Sequence, residues 1–222
     1  MSDQPTLVFD VNETLLSLDP IKTELETLFG ENPPAGEWFA RMLHGSLVSN
    51  ELWSYRPFDQ IGVEALLTVA AKRGVRLTGE DAQAIVSVMR GLPPHPDVYN
   101  AMERLFDAGL RLVALTNSSS EAANSQIENA GLHVFIQRVF SVEEVGVFKP
   151  NAAPYRHVAE ALDTPIDQTM LVAAHDWDCA GAMTAGAQAA FVQREGVVWG
   201  IANSPPPLVV PNLTHLADAL VG

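Results

Sequence analysis

The stretch "TLVFDVNETLLSLD", residues 6–19, decides how the chain is read. Thr6–Val11 is a short apolar run of strand type, and an acid, Asp10, falls near its carboxyl end. Asn12, Glu13 and Thr14 follow at once. From Asp19 to Met89 the pattern reads as mostly helical, with candidate helices at Pro20–Leu28, Glu37–Ser49, Gly62–Arg73 and Gly79–Met89. "GLPPHPDV" (91–98) then breaks the pattern with three prolines and reads as a linker.

Beyond the linker the rhythm changes. Helical stretches at Val98–Ala108, Ser120–Ala130, Ala152–Leu162 and Ala180–Ala185 alternate with strand-like runs at Leu110–Leu115, Val139–Ser141, Met170–Ala174 and Ala187–Val192. The tail, "SPPPLVVPNLTHLADAL" (204–220), reads as a stiff linker, a strand at Leu208–Val210 and a helix capped by Asn212 or Thr214. Such alternation implies right-handed crossovers and a parallel sheet covered on both faces. The expected fold is therefore α/β: a doubly wound, Rossmann-like core of residues 1–16 and 94–222, with a helical insertion over 17–93. Ligands of open α/β sheets bind at the carboxyl ends of the strands, which is where Asp10 falls. The insertion starts beside it and is placed to roof the site against water.

Composition limits the partners. The 222 residues suffice for one core domain plus an insertion. Hydrophobic residues make up 47% and charged residues 18%, a globular balance. A net charge of −14 repels phosphate backbones and anionic lipid, so neither nucleic acid nor a membrane is an expected partner. The single cysteine, Cys179, excludes an intrachain disulfide and fits a reducing compartment. With no basic, apolar leader in the given sequence, the expected location is cytoplasmic.

Four polar stations follow strand-like runs: Asp10, "LTNSSS" (115–120), "VFKPNAAPY" (147–155) and "VAAHDWDCAGA" (172–182). Singly, each has a plain structural reading. Asp10 can close a loop, Thr116–Ser120 can cap a helix, Lys149 can be a solvated lysine and Asp178 an N-cap. In a parallel sheet, however, all four must converge on one edge. A carboxylate, a hydroxyl cluster, a lysine and a second carboxylate would meet there. A carboxylate beside a lysine stays ionised, as a nucleophile must.

These stations, in this order, resemble the haloacid dehalogenase superfamily over nearly the whole chain. Asp10-Val-Asn-Glu-Thr14 is similar to its first motif, Thr116-Asn117-Ser118 to its second, Lys149-Pro150 to its third, and the stretch to Asp178 to its fourth. The insertion resembles its helical cap. Most members are magnesium-dependent phosphatases with an aspartate two residues after the nucleophile. Here that residue is Asn12, which cannot act as a carboxylic acid. Ala174 stands where the fourth motif has its first acid, and Asp176 is the nearby carboxylate able to substitute.

Both departures resemble the metal-free L-2-haloacid dehalogenase branch. "NSS" (117–119), Lys149 with Tyr155, "HDWD" (175–178) with Trp177, and Arg41 early in the second insertion helix are similar to that branch's patterns. The resemblance implies a cofactor-free displacement on a small anionic organohalide. Asp10 would attack the halogen-bearing carbon, and water would hydrolyse the resulting ester. Arg41 and Asn117 would cradle the halide, and Ser118 with nearby backbone N–H groups would bind the substrate carboxylate. Lys149, supported by Tyr155, would hold Asp10 ionised, and Thr14 would orient Asp10 or the water. Asp178 would position Lys149 and the hydrolytic water.

The chain also departs from that branch. Ala173 and His175 replace its serine and asparagine, and Asn12 replaces a common tyrosine and alters the pocket floor. His175 is either a hydrogen-bond partner, a base for the water, or a volume filler. Two other readings stay open: a phosphatase with a rearranged metal site, and an idle binding protein. Relatives pair through cap helices, and "EWFARMLHGSLVSNELW" (37–53) is apolar enough to imply a homodimer.

Overall fold

The computed structural model describes residues 4–222, so the first three residues of the expected 1–16 segment lie outside it. Six strands form one sheet: β1 (Thr6–Phe9), β2 (Leu112–Thr116), β3 (Val139–Ser141), β4 (Thr169–Ala173), β5 (Gln188–Val192) and β6 (Leu208–Val210). Their order is β3-β2-β1-β4-β5-β6, and every pairing is parallel. The chain reverses direction across the sheet at β1, which opens a crevice at the carboxyl ends of β1 and β4.

β1, β2 and β4 are buried along their whole length, as strands covered on both faces must be. Side chains alternate across the sheet. Leu7 and Phe9 enter one core with residues of α5 (Val98–Asp107), α6 (Ser120–Asn129) and α9 (Leu213–Val221). Val8 enters the other, with Tyr155 and Val158 of α7 (Ala152–Ala161) and Cys179 and Ala182 of α8 (Asp176–Ala185).

Four helices lie between β1 and α5: α1 (Asp19–Phe29), α2 (Ala35–Glu51), α3 (Phe58–Lys72) and α4 (Gly79–Ser87). They leave and return through one gate. The Ser17 N–H donates to the Pro93 carbonyl and the His95 N–H to the Leu15 carbonyl, both at 2.9 Å. The proline-rich "linker" is thus partly paired to the exit from β1. Within the insertion α2 packs closely on α3: Trp38 Nε1 donates to the Gly62 carbonyl at 2.9 Å. A Cβ at Gly62 would stand 2.9 Å from Met42 Sδ, so a larger residue there would displace the Met42 side chain.

Element ends differ from expectation for local reasons. α3 starts at Phe58 rather than Gly62, directly after Pro57. α4 stops at Ser87 and tightens into a 3-10 turn over Val88–Gly91. α8 starts at Asp176, so Asp178 lies inside its first turn and His175, not Asp178, is the N-cap residue. Asn212 caps α9 by accepting from the His215 N–H.

Candidate active site

β1 ends one residue before Asp10, whose N–H donates to the Val172 carbonyl of neighbouring β4. Asp10 as a whole is 4% exposed. Thr14 Oγ1 donates to Oδ2 at 2.6 Å, and Lys149 Nζ donates to Oδ1 at 2.8 Å. Lys149, itself 1% exposed, spends its other two protons on Asp178 Oδ2 at 2.6 Å and the Leu115 carbonyl at 3.0 Å. All three ammonium donors are used, which makes burial of the charge tolerable. The Lys149 N–H also donates to Asn117 Oδ1 at 3.1 Å, tying the third station to the second.

Burial alone would push the Asp10 carboxyl up. The charges of Lys149 and His175, with the hydrogen bonds from Lys149 and Thr14, outweigh that and hold it below the ordinary carboxylate range. Burial would likewise lower Lys149, but Asp10 and Asp178 raise it above the ordinary lysine value. Asp178 goes the other way: burial and the Asp10 charge raise it against the pull of Lys149. Of the two carboxylates sharing one ammonium, Asp10 is the one whose ionised form its surroundings favour more strongly. Tyr155 OH donates to Asp178 Oδ1 at 2.5 Å and is itself held protonated by burial and by Asp178. The phenol supports Lys149 through Asp178, not by direct contact.

Thr14 Oγ1 also accepts from the Ala174 N–H at 2.9 Å. Asn12 donates through Nδ2 to Ser118 Oγ at 3.2 Å and accepts through Oδ1 from Gln126 Nε2 at 2.8 Å. His175 Nε2 lies 3.2 Å from the Asn12 carbonyl. A carbonyl only accepts, so this nitrogen carries a proton and cannot at the same time take one from water. That favours His175 as a donor over His175 as a base at this atom. The same nitrogen is 3.7 Å from Asp10 Oδ2 and 3.7 Å from Glu13 Oε2. Its ring is stacked between Phe39 of α2 (5.7 Å) and Trp177 (5.1 Å), joining the insertion to the core.

Residues 5–186 match the family model for haloacid dehalogenase-like hydrolases. The chain belongs to that family. It is similar to "(S)-2-haloacid dehalogenase H-109" of Pseudomonas putida, with 26% identity over 97% of each chain. In fold it is similar to a crystallised L-2-haloacid dehalogenase, with a TM-score of 0.92, 22% identity and full coverage of both chains. It is also similar to the L-2-haloacid dehalogenase of Xanthobacter autotrophicus with chloropropionic acid covalently bound, with a TM-score of 0.91, 22% identity and 99% of each chain covered.

The residues of this haloacid dehalogenase-like hydrolase do not fit a resident magnesium ion. A hard divalent cation needs about six oxygen donors. Both Asp178 oxygens are engaged, by Lys149 and Tyr155. Asp176 cannot substitute: Oδ1 accepts from the Trp177 N–H and Oδ2 from the Gly200 N–H, turning the carboxylate to another loop. Ala174 is a buried methyl group, and the Asn12 carbonyl faces His175.

One sequence expectation fails on geometry. Arg41 is exposed and lines a surface cleft of about 110 Å³ with His44, Ile61, Glu64 and Thr68. A helix turns about 100° per residue, so with Phe39 facing His175, Arg41 points some 200° away. Phe39 is the α2 residue that stacks on His175. The Ser118 N–H is likewise spent, on Thr116 Oγ1 at 3.1 Å, and is not free for a substrate carboxylate. Asn117, Ser118, Trp177, Asn12 and Thr14 do gather at the strand ends around Asp10.

Sequence reasoning missed Phe39, Gln126, Glu13 and Asn50. Glu13 adopts a left-handed φ of 62°, which no local pattern announced. Asn50 of α2 makes a double hydrogen bond with the backbone of Phe148, the residue before Lys149, at 2.8 and 2.9 Å.

Proposed function

We propose that this chain hydrolyses the carbon–halogen bond of short (S)-2-haloacids, giving 2-hydroxyacids through an aspartyl ester. The observation that carries the reading is Asp10. It is a buried carboxylate held ionised by Lys149, with no acid two residues on and with the oxygens of Asp178 and Asp176 already engaged. The likeness to named (S)-2-haloacid dehalogenases over 97% of the chain supports the same reading.

In the first step a carboxylate oxygen of Asp10 forms a bond to the substrate C2 and halide departs with the bonding electrons. In the second, water adds to the ester carbonyl, the 2-hydroxyacid leaves and a proton is released. Lys149 and Thr14 fix the nucleophile, and Asp178 with Tyr155 fixes Lys149. With Arg41 outside the site and His175 Nε2–H facing the Asn12 carbonyl, the donor left for the halide is the Asn117 amide nitrogen, which has no hydrogen-bond partner among the described residues. Developing charge is stabilised by such a preset donor. Residues 17–93 act as a cap that excludes water, with Phe39 closing on His175.

The test is halide release from (S)- and (R)-2-chloropropionate with chelator present, followed by single turnover in ¹⁸O-labelled water. Release from the S-acid with label entering Asp10 is expected. Asp10→Asn lowers release by a factor on the order of 10³ or more. Turnover that requires magnesium, or none on any haloacid, would overturn the reading.

We also infer a homodimer through α2, whose end exposes Leu47, Val48, Leu52 and Trp53, the last at 90%. The lone cysteine, buried and held protonated by that burial, is in keeping with a reducing cytoplasm. Among the described residues no helix is long and apolar enough to cross a membrane.

A further inference from the structure

The hydrogen bonds around Ser118 form a chain whose direction is set at its far end. Gln126, 1% exposed, places Nε2 2.8 Å from the Met89 carbonyl and 2.8 Å from Asn12 Oδ1. A main-chain carbonyl only accepts, so the group facing it must be the amide NH₂. That assignment uses both Gln126 protons. It also makes Asn12 Oδ1 an acceptor, and so leaves Asn12 Nδ2 facing Ser118 Oγ at 3.2 Å as a donor. Ser118 Oγ therefore accepts from Asn12, and its own proton is not spent there.

The other groups of Ser118 are committed. Its N–H donates to Thr116 Oγ1, and its carbonyl accepts from Ser141 Oγ at 2.6 Å. The hydroxyl proton is the one donor Ser118 has left among the described residues. Ser118 lines a narrow cleft between insertion and core with Phe58, Asp59, Val86, Met89 and Arg90, whose guanidinium pairs with Glu121. Through Asn12, two residues after Asp10, the same hydroxyl is tied to the strand end that carries the nucleophile, with its proton free to donate.

We propose that Asn12, held by Gln126, is a positioning and specificity residue that commits the Ser118 hydroxyl to donating to the substrate's carboxylate. This rests on the haloacid reading above and adds to it. It explains an amide two residues after Asp10. An aspartate in its place would accept from Gln126 equally well, but it would also accept the Ser118 proton, taking that proton from the substrate. The amide is the one group of that size that accepts on one side and donates on the other.

The experiment is a double-mutant cycle on the full chain, read as KM and kcat for (S)-2-chloropropionate and as calorimetric binding of propionate, which cannot react. Asn12→Asp is expected to raise KM and weaken propionate binding by about tenfold or more, the loss of a hydrogen bond to a charged group, with a smaller change in kcat. Ser118→Ala is expected to do the same in the wild-type background and to add less than twofold in the Asn12→Asp background. If the two effects multiply, the introduced carboxylate acts by charge repulsion alone and the proposal falls. It falls also if Asn12→Asp leaves KM and propionate binding within twofold. Should Asn12→Asp fold poorly, Gln126→Leu frees the Asn12 amide to rotate, and the same loss of the Ser118→Ala effect is expected there. Halide release by the wild-type chain with additive effects in the cycle removes this inference alone. No release by the wild-type chain removes the haloacid reading, and propionate binding with a non-additive cycle would then keep the Ser118 assignment standing.

Discussion

Lys149 shows how closely stability and chemistry are joined at a single residue. Its ammonium lies between two buried carboxylates and a carbonyl, and each proton has a partner. Replacing it by methionine fills the volume but leaves two carboxylates facing each other without a cation. Breaking such a buried set costs about 3–5 kcal/mol. Lys149→Met is therefore expected to lower unfolding stability by about that amount in denaturant titration, and adding Asp178→Asn should restore part of it, since the two sites share one network. Asp10, Thr14, Lys149 and Asp178 were legible as a cluster because a parallel sheet must bring its strand ends together. Arg41 was misread because a helix phase error of two residues reverses a face. Trp38, Met42 and Ser46 already marked the buried stripe at intervals of four. Gln126 carried no such signal, since nothing local in "SQIEN" points to a partner more than a hundred positions away.

The elements around the site are tied together by a second, half-buried ion pair, away from the chemistry. Arg194, just past β5, donates to Asp97 Oδ1 at 2.7 Å and to the Thr14 carbonyl at 2.7 Å. Asp97 Oδ2 in turn accepts from the Leu213 N–H at 2.7 Å, at the start of α9. One carboxylate thus joins α5, α9 and the loop that carries Thr14. Burial would raise its pKa, but the hydrogen bonds from Arg194 and Leu213 hold it below the usual range. A carboxyl lowered on folding stabilises above its unfolded pKa, and the benefit is lost as pH falls through the folded value. Asp97→Asn is expected to cost about 1–3 kcal/mol at neutral pH. The difference from wild type should shrink as pH falls below about 4, the ordinary aspartate value. A difference that stays constant with pH would deny the ion pair its part. In sequence Asp97 looked like punctuation before a helix. Its partners come from the far end of the chain, beyond the reach of any local pattern.

For the whole molecule, charge and apolar surface pull in opposite directions. Each copy carries −14, so two copies repel while the α2 ends, with Leu52 and Trp53 exposed, attract. Salt screens the first within about 8 Å at physiological strength and leaves the second intact. Sedimentation velocity is therefore expected to show a dimer whose fraction rises from about 20 to about 300 mM salt. A monomer at micromolar concentration under both conditions would rule the pairing out. The single gate of the insertion bears on how the chain folds. Leu7 of β1 must find Leu112 of β2, a pairing that ordinarily requires closing a loop of about 100 residues. Residues 16 and 94 are bridge partners, so an insertion that folds early holds its own ends together. The effective loop then falls to about 25 residues, which relieves roughly 1 kcal/mol of closure entropy. The central strand pair, distant in sequence, becomes nearly local along the folding route.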